Sequence, residues 1–386
     1  MKPLEYYRGK EQTYLKHFFL EQYLETVAFH IGYTQREFVY VDCFSGPWRH
    51  ADESLADTSI RISLDKLNYV REGLAAQQKF LTISAIFIEK DPAAFAALQQ
   101  AVERHHGSVR AQALPGEFED NIPRIVLAIE RKFAFIFIDP TGWNVQMDRI
   151  APLLRHQPGE VVINLMYDFI NRFINATDAS TEASLDRFFG CTDWRALREQ
   201  QDRETAIVEF YLERVRAVGH FPYVTSTKIL KPLHERAYFH LIYATRSPKG
   251  IEKFRDVEKR LVPEQDRVRE NARREHRVEK SGQDELIFDQ SESLSPPVED
   301  ERALQRGRAK AALFAALRGA PRRYENLIPI MLQIRLFWRT DLNDLLMGEQ
   351  KGGRIVIEGM SPRQRIPNDG CLIRLAATQP GDSPSE

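Results

Sequence analysis

Short apolar runs rich in β-branched and aromatic residues recur along the chain at 38 to 43, 82 to 88, 109 to 114, 133 to 138, 160 to 166, 222 to 230 and 238 to 245. Between them lie stretches of helical period, notably Pro92 to Arg104, Phe118 to Arg131, Leu185 to Phe189 and Thr205 to Val218. Strand runs alternating with helical segments predict βαβ units and a mostly parallel, doubly wound α/β sheet. Ahead of the first run, Leu15, Phe18, Phe19, Tyr23, Leu24 and Val27 recur every three or four residues, which predicts an amphipathic helix from Glu11 to His30 lying across strand one. Only Lys231 to Ala237 separates the last two runs, so they are expected to pair as an antiparallel hairpin at one sheet edge.

The pattern then changes. Ile251 to about Lys280 reads as a charged helix, and Ser281 to Ala309 is polar, with Ser291 to Pro297 rich in serine and proline. Such composition buries too little surface to offset ordering entropy, so a linker and a domain boundary are expected over 261–305. Beyond it, Ala309 to Leu317, Arg323 to Phe337 and Asp341 to Met347 read as helices, and Gly353 to Gly359 and Gly370 to Leu375 as strands. Three helices followed by a hairpin is the order of a winged helix, expected over 306–378, with a disordered tail from Gln379. Lys351, Arg354, Arg363, Arg365 and Arg374 lie on the expected wing against Glu358 and Asp369. Those cations suit phosphates. A solvated hairpin or a protein-docking module is the competing reading, because fold alone does not fix function.

Composition adds bounds. A chain of 386 residues with 43% hydrophobic and 28% charged residues fits a soluble globular protein of two domains. No apolar stretch approaches the ~20 residues of a membrane span, and Met1 to Tyr7 lacks the regions of a secretory signal, so the cytoplasm is the expected location. Cys43, Cys191 and Cys371 stand apart, without the spacing of a metal site or disulfide framework, and read as small hydrophobes. A net charge of -1 selects no partner.

Candidate chemistry sits at the strand ends. In an open parallel sheet, ligands bind beyond the carboxyl ends of strands where strand order reverses. The first run ends at Asp42, the second at Glu89 and the fourth at Asp139, a layout that predicts a nucleoside-bearing cofactor and, in particular, an S-adenosylmethionine-dependent methyltransferase. After Asp42, Phe44 and Gly46 form a turn that permits close backbone approach, although Trp48 stands where a second glycine often occurs. Glu89 is placed to accept ribose hydroxyls, and it also begins a helix with Pro92 at its first position. The long segment Arg49 to Phe80 must contain an extra loop and helix. Glu117 and Phe118 are candidates for the adenine end, with a plain helix start as the alternative.

Asp139, Pro140, Thr141, Gly142 and Trp143 resemble the Asp-Pro-Pro-Tyr element of amino-methyltransferases. There the carboxylate and the proline carbonyl accept hydrogen bonds from the target amino group, and the aromatic stacks on its base. Thr141 replaces the second proline, and Gly142 moves the aromatic one place on. Asn164, Tyr167, Asp168, Asn171 and Arg172 follow strand five as candidate substrate-side groups, or as a network ordering the turn.

With Lys10 and Lys16 on the first helix, Asp42 to Pro47, Phe87 to Pro92, Phe137 to Trp143, Asn164 to Phe173 and Tyr238 to Thr245, the chain resembles the three-Cys-motif partner proteins, TcmP, over about residues 10 to 260. The resemblance implies a Rossmann-like class I methyltransferase fold with a seventh strand inserted between the fifth and sixth. It also implies a partner bearing a three-cysteine motif, similar to radical S-adenosylmethionine proteins. Where the family commonly has Phe-Ala-Gly-Pro-Gly, this chain has Phe44-Ser45-Gly46-Pro47-Trp48. The expected function is methyl transfer to a nucleic-acid or nucleobase-like amino group. Two other readings stay open: a non-catalytic methyltransferase-like scaffold or regulator of that partner, and a winged-helix DNA-binding protein of a mobile-element or defence system.

Overall fold

A computed structural model describes residues 1–46, 58–281, 295–361 and 363–376. Contacts divide the chain into two compact units, Met1–Glu292 and Ser293–Glu386.

The first unit is built on seven strands: β1 (Glu37–Asp42), β2 (Thr82–Glu89), β3 (Arg110–Pro115), β4 (Phe133–Ile138), β5 (Gly159–Leu165), β6 (Tyr223–Leu230) and β7 (Ala237–Thr245). Among the described residues nine α-helices accompany them: α1 (Glu11–Gly32), α2 (Ser59–Ala76), α3 (Pro92–Glu103), α4 (Phe118–Ile129), α5 (Met147–Leu154), α6 (Tyr167–Phe173), α7 (Ala179–Phe189), α8 (Arg203–Gly219) and α9 (Pro248–Ser281). The sheet order is β3-β2-β1-β4-β5-β7-β6. The first five strands are parallel, and β7 runs antiparallel to both β5 and β6. The hairpin expected from the closing runs therefore forms, with β7 inserted between β5 and β6.

Central strands show no alternation in sequence because both of their faces are covered. All six residues of β4 are buried, as are five of six in β1. On one face Tyr40 and Phe135 stack at 6.0 Å, and Tyr23 from α1 meets Phe135 at 5.2 Å. On the other, Val39, Val41 and Ile136 join a core that includes α4, α5 and α8. Helix α1 packs against both α2 and α9, so more of its circumference is buried than one amphipathic stripe would cover, while Phe18 is only half-buried.

A buried carboxylate ties three of these elements together. Glu160 on β5 is 3% exposed and accepts hydrogen bonds from Tyr23 Oη at 2.7 Å and Thr245 Oγ1 at 2.9 Å, while Tyr23 Oη also lies 2.8 Å from Tyr243 Oη. Burial pushes the Glu160 carboxyl up and these hydrogen bonds oppose the rise. The run 160 to 166 reads as plain apolar strand, so this group was hidden in the sequence.

The division between the units falls within the expected 261–305 stretch, but helix α9 ties the first part of that stretch to the first unit. Ile251, Phe254, Val257, Leu261, Val262 and Val268 are buried on one side of it, so residues beyond 260 belong to the first unit. Of the expected linker, 282–294 lies outside the described residues, as do Pro47, Trp48, residues 49–57 and the expected tail from Gln379.

The second unit contains α10 (Pro296–Arg318), β8 (Arg322–Arg323), α11 (Tyr324–Met331), α12 (Arg339–Lys351), β9 (Ile355–Glu358) and β10 (Leu372–Leu375), with antiparallel sheet order β8-β10-β9. Helix α10 begins within the stretch read as linker, because Val298, Ala309, Leu313 and Leu317 give it a buried side. Arg302 stacks over Trp338 at 3.8 Å and pairs with Asp341 at 2.8 Å. Asp341 also accepts from the Trp338 backbone N–H at 2.8 Å, fixing the start of α12.

Candidate active site

The strand order reverses between β1 and β4. To one side of β1 the chain continues through β2 and β3, and to the other through β4 and β5. Asp42 ends β1 opposite Phe137 of β4, which places Asp42 and Asp139 at neighbouring strand ends beside the crevice that such a reversal leaves.

Asp42 is 1% exposed and is already supplied with donors. Ser59 Oγ at the start of α2 donates at 2.9 Å, the Phe44 N–H at 3.2 Å and Tyr40 Oη at 3.3 Å. Burial raises its carboxyl to about 6; the Ser59 hydrogen bond opposes this and the charge of Asp139 adds to it. Asp42 therefore organises the turn after β1 and is not among the residues that line the cavity beside it.

That turn is pinned to the next strand. The Ser45 N–H donates to Ile88 O at 2.9 Å, and the Ile88 N–H donates to Ser45 Oγ at 3.2 Å. Gly46 leaves room for the Glu89 carboxylate: a Cβ there would lie 1.6 Å from Glu89 Oε2, so a larger residue displaces that side chain. Glu89 is 8% exposed and its Oε1 accepts from the Asp91 N–H at 2.7 Å, so its carboxylate packs directly against the glycine. Asp91 in turn caps α3 by accepting from the Ala94 N–H at 2.8 Å.

Beyond β4, Asp139 is held from two sides. Lys16 Nζ on α1 lies 2.5 Å from Oδ2, and Asn164 Nδ2 donates to Oδ1 at 2.7 Å. Asn164 lines the cavity and is 4% exposed, and its Oδ1 is buried without a hydrogen-bond partner among the described residues. A buried acceptor left unmatched costs about 1–3 kcal/mol, which a donor brought by a ligand would recover. The cavity measures about 400 Å³. Its walls come from Lys10 at the N-cap of α1, α1 itself (Thr13, Lys16, His17), the turn after β1 (Phe44, Ser45, Gly46), the ends of β4 and β5 (Asp139, Pro140, Asn164) and β7 (Tyr238, Phe239).

Five sequence candidates thus gather on one cavity: Phe44, Gly46, Asp139, Pro140 and Asn164. Asp42 and Glu89 contact it through Ser59 and Gly46. The others are placed elsewhere. Phe118 is 3% exposed and packs on Phe44 at 5.2 Å as part of the core, so its ring offers no stacking face. Glu117 is exposed and pairs with Lys90 at 3.4 Å. Trp143 donates to Ser184 Oγ at 2.9 Å and packs edge-on against Phe169 and Phe173, and it is not among the residues that line the cavity. Tyr167 is buried against His240 at 5.9 Å. Asp168 is 2% exposed, bound by Arg172, by Lys231 at 2.8 Å and by Arg236 at 3.1 Å; burial works against its ionisation, but these cations hold the carboxyl below its usual range. Arg172 is engaged there.

Sequence reasoning missed Lys16, Ser59 and Tyr238 as members of the site. Lys16 was visible only as a cation on the first helix. On the second unit, Arg354 pairs with Glu349 and Arg374 with Glu358, whereas Lys351, Arg363 and Arg365 are exposed.

The parallel sheet with β7 inserted antiparallel between β5 and β6, and a cavity at the β1/β4 reversal, define a Rossmann-like methyltransferase fold. No family model matches the sequence, and no curated protein matches it. Among solved structures, the chain is similar to the O-methyltransferase from Bacillus cereus in complex with SAH, at 13% identity and a TM-score of 0.30, covering 58% of this chain and 80% of that one. It is similar also to cofactor-bound Rv0187 from MTB, at 14% identity and 0.31, over 59% and 79%. A loganic acid methyltransferase with SAH matches at 10% identity and 0.29, over 68% and 88%. The fold assignment rests on the strand order itself. Among the described residues, no helix is long and apolar enough to cross a membrane.

Proposed function

We propose that the chain is an S-adenosylmethionine-dependent methyltransferase acting on an amino group of a nucleic acid or nucleobase-like acceptor. The observation that carries this reading is the pairing of Asp139 with Asn164 at the edge of the cavity beside the β1/β4 reversal. The residues suit such a cofactor: a glycine packed against the Glu89 carboxylate, an ammonium and a carboxylate side by side, and an unmatched buried acceptor. When bound, it supplies an electrophilic methyl group on a sulfonium. Asp139 and the unmatched Asn164 Oδ1 are both able to accept hydrogen bonds, so together they can hold an amino group with its lone pair directed along one line, which is the main requirement of an in-line displacement. Glu89 is the group suited to ribose hydroxyls, through a shift of the turn that carries Gly46.

The motif set from Asp42 to Thr245 supports a relation to the TcmP proteins and hence action beside a three-Cys-motif, radical S-adenosylmethionine-like partner. The order α-β-α-α-β-β of the second unit supports a winged helix, with exposed Lys351, Arg363 and Arg365 as its phosphate contacts. The first test is calorimetric titration with S-adenosylmethionine and S-adenosylhomocysteine, alongside Glu89→Ala. Saturable binding, weakened about tenfold or more by loss of the carboxylate, is expected. No binding at millimolar ligand overturns the reading.

A further inference from the structure

Lys16 has no part in the mechanism above, yet it occupies the one carboxylate that mechanism needs. Its Nζ lies 2.5 Å from Asp139 Oδ2, with the two side chains 19% and 15% exposed. Both residues line the cavity. Ion pairs removed from water gain little net stability, since desolvation offsets most of the attraction. A pair of this kind on a ligand cavity is thus not explained by folding alone. Thr13 lies three residues before Lys16 on the same helix, and Lys10 stands at its N-cap; both line the same wall, so the start of α1 presents a polar, cationic face to the space.

The charges available there are an ammonium, a carboxylate and the unmatched Asn164 Oδ1. A lone phosphate would meet Lys16 but stand against Asp139. A ligand carrying a carboxylate with an amine on the adjacent carbon offers its negative charge to Lys16 and an N–H donor to the unmatched Asn164 Oδ1. The amino-acid tail of S-adenosylmethionine is such a group, so the inference rests on the cofactor reading of the preceding section.

We propose that Lys16 is the receptor for the carboxylate of the cofactor's amino-acid tail, and that accepting it draws the ammonium away from Asp139. Asp139 and Asn164 Oδ1 are then left to N–H donors in the cavity. Lys16 is a binding residue in this scheme, and the resting ion pair keeps Asp139 engaged until the cofactor arrives.

The test compares S-adenosylhomocysteine with 5′-methylthioadenosine, which shares the thioadenosine but lacks the tail, on wild-type protein, Lys16→Met and Lys16→Arg. A charge-assisted hydrogen bond contributes about 1.5–3 kcal/mol, so Lys16→Met is expected to weaken S-adenosylhomocysteine about 10- to 100-fold. Binding of 5′-methylthioadenosine stays unchanged in the same variant, which also shows that it is folded, and Lys16→Arg recovers part of the loss. Unchanged affinity for S-adenosylhomocysteine, or equal losses for both ligands, overturns the assignment of Lys16 alone. Wild-type protein that binds neither ligand overturns the cofactor reading and this inference together.

Discussion

Lys16 on the first helix and Asp139 at the end of β4 meet at 2.5 Å, so the carboxylate best placed for chemistry is neutralised by a cation from far away in the sequence. The relationship separates two properties that usually fall together in an active-site variant. On the proposed reading, removing Asp139 takes away the acceptor of the target amino group but frees Lys16.

Asp139→Asn is therefore expected to lower methyl transfer by about 100-fold or more, because one of two acceptors becomes ambivalent and the reacting nitrogen loses its orientation. Affinity for S-adenosylhomocysteine is expected to hold or rise, since nothing then competes for the ammonium of Lys16. Turnover comparable with wild type would remove Asp139 from the mechanism. Calorimetry and a methyl-transfer assay on the same preparation check both halves.

Asp42 gives a pH signature. Its carboxyl titrates near 6 in the folded chain against an ordinary 3.8, chiefly because it is buried. The folded state thus holds more protons than the unfolded chain between those values. Stability from this group is present below about 4 and is lost as pH rises through about 6, by at most about 3 kcal/mol. Asp42→Asn, which stays neutral, is expected to flatten the decline in unfolding midpoint between pH 4.5 and 7.5. Equal slopes in the two proteins would place Asp42 in an environment less buried than it is here.

Much of this site was legible because β1 and β4 are covered on both faces and so read as unbroken apolar runs that stop at an acid. The antiparallel β7 was legible from the short connection before it. What stayed hidden depends on which way a ring or a charge points. Phe118 beside Glu117 looks the same in sequence whether it faces a ligand or the core, and it faces the core. Trp143 follows an acid-proline pair yet turns toward Ser184. Helix α9 read as a boundary because its charged residues dominate its mean hydropathy, while Phe254, Val257 and Leu261 bury a narrow stripe that composition averages away.

Trp143 should accordingly behave as a packing residue. Trp143→Phe keeps a ring against Phe169 and Phe173 but loses the hydrogen bond to Ser184, a cost of about 1 kcal/mol. The expected result is a slightly lower unfolding midpoint with unchanged S-adenosylhomocysteine affinity and methyl transfer. A selective loss of transfer without loss of stability would return Trp143 to the acceptor side.

The core network around Glu160 makes a sharper claim on stability. Tyr23→Phe removes the donor 2.7 Å from Glu160 Oε2 and the partner of Tyr243, leaving a fully enclosed carboxylate with one hydrogen bond fewer. The cost is expected to be about 1–3 kcal/mol in the unfolding transition of the first unit. Gly250→Ala attacks the same network sterically, because a Cβ there would stand 2.3 Å from Glu160 Oε1 and 2.5 Å from Tyr243 Oη. Both variants should lower the midpoint in urea. A neutral Tyr23→Phe would mean that Glu160 is protonated and supplies its own donor.

The exposed cations of the second unit are tested by salt. If Arg363 and Arg365 each neutralise one phosphate, replacing both with alanine in the full chain lowers the slope of log affinity against log salt for duplex DNA by about 2. Affinity at low salt falls for all sequences alike, because contacts to phosphate carry no base information. Arg354 differs from them, since Glu349 already holds its guanidinium, so Arg354→Ala should change the slope little. Its expected effect is on stability, through a carboxylate left with only Lys310, at 3.0 Å, as an ion-pair partner among the described residues. Fluorescence anisotropy over a salt series separates these outcomes. Wild-type binding that ignores salt would instead assign this hairpin to a protein contact.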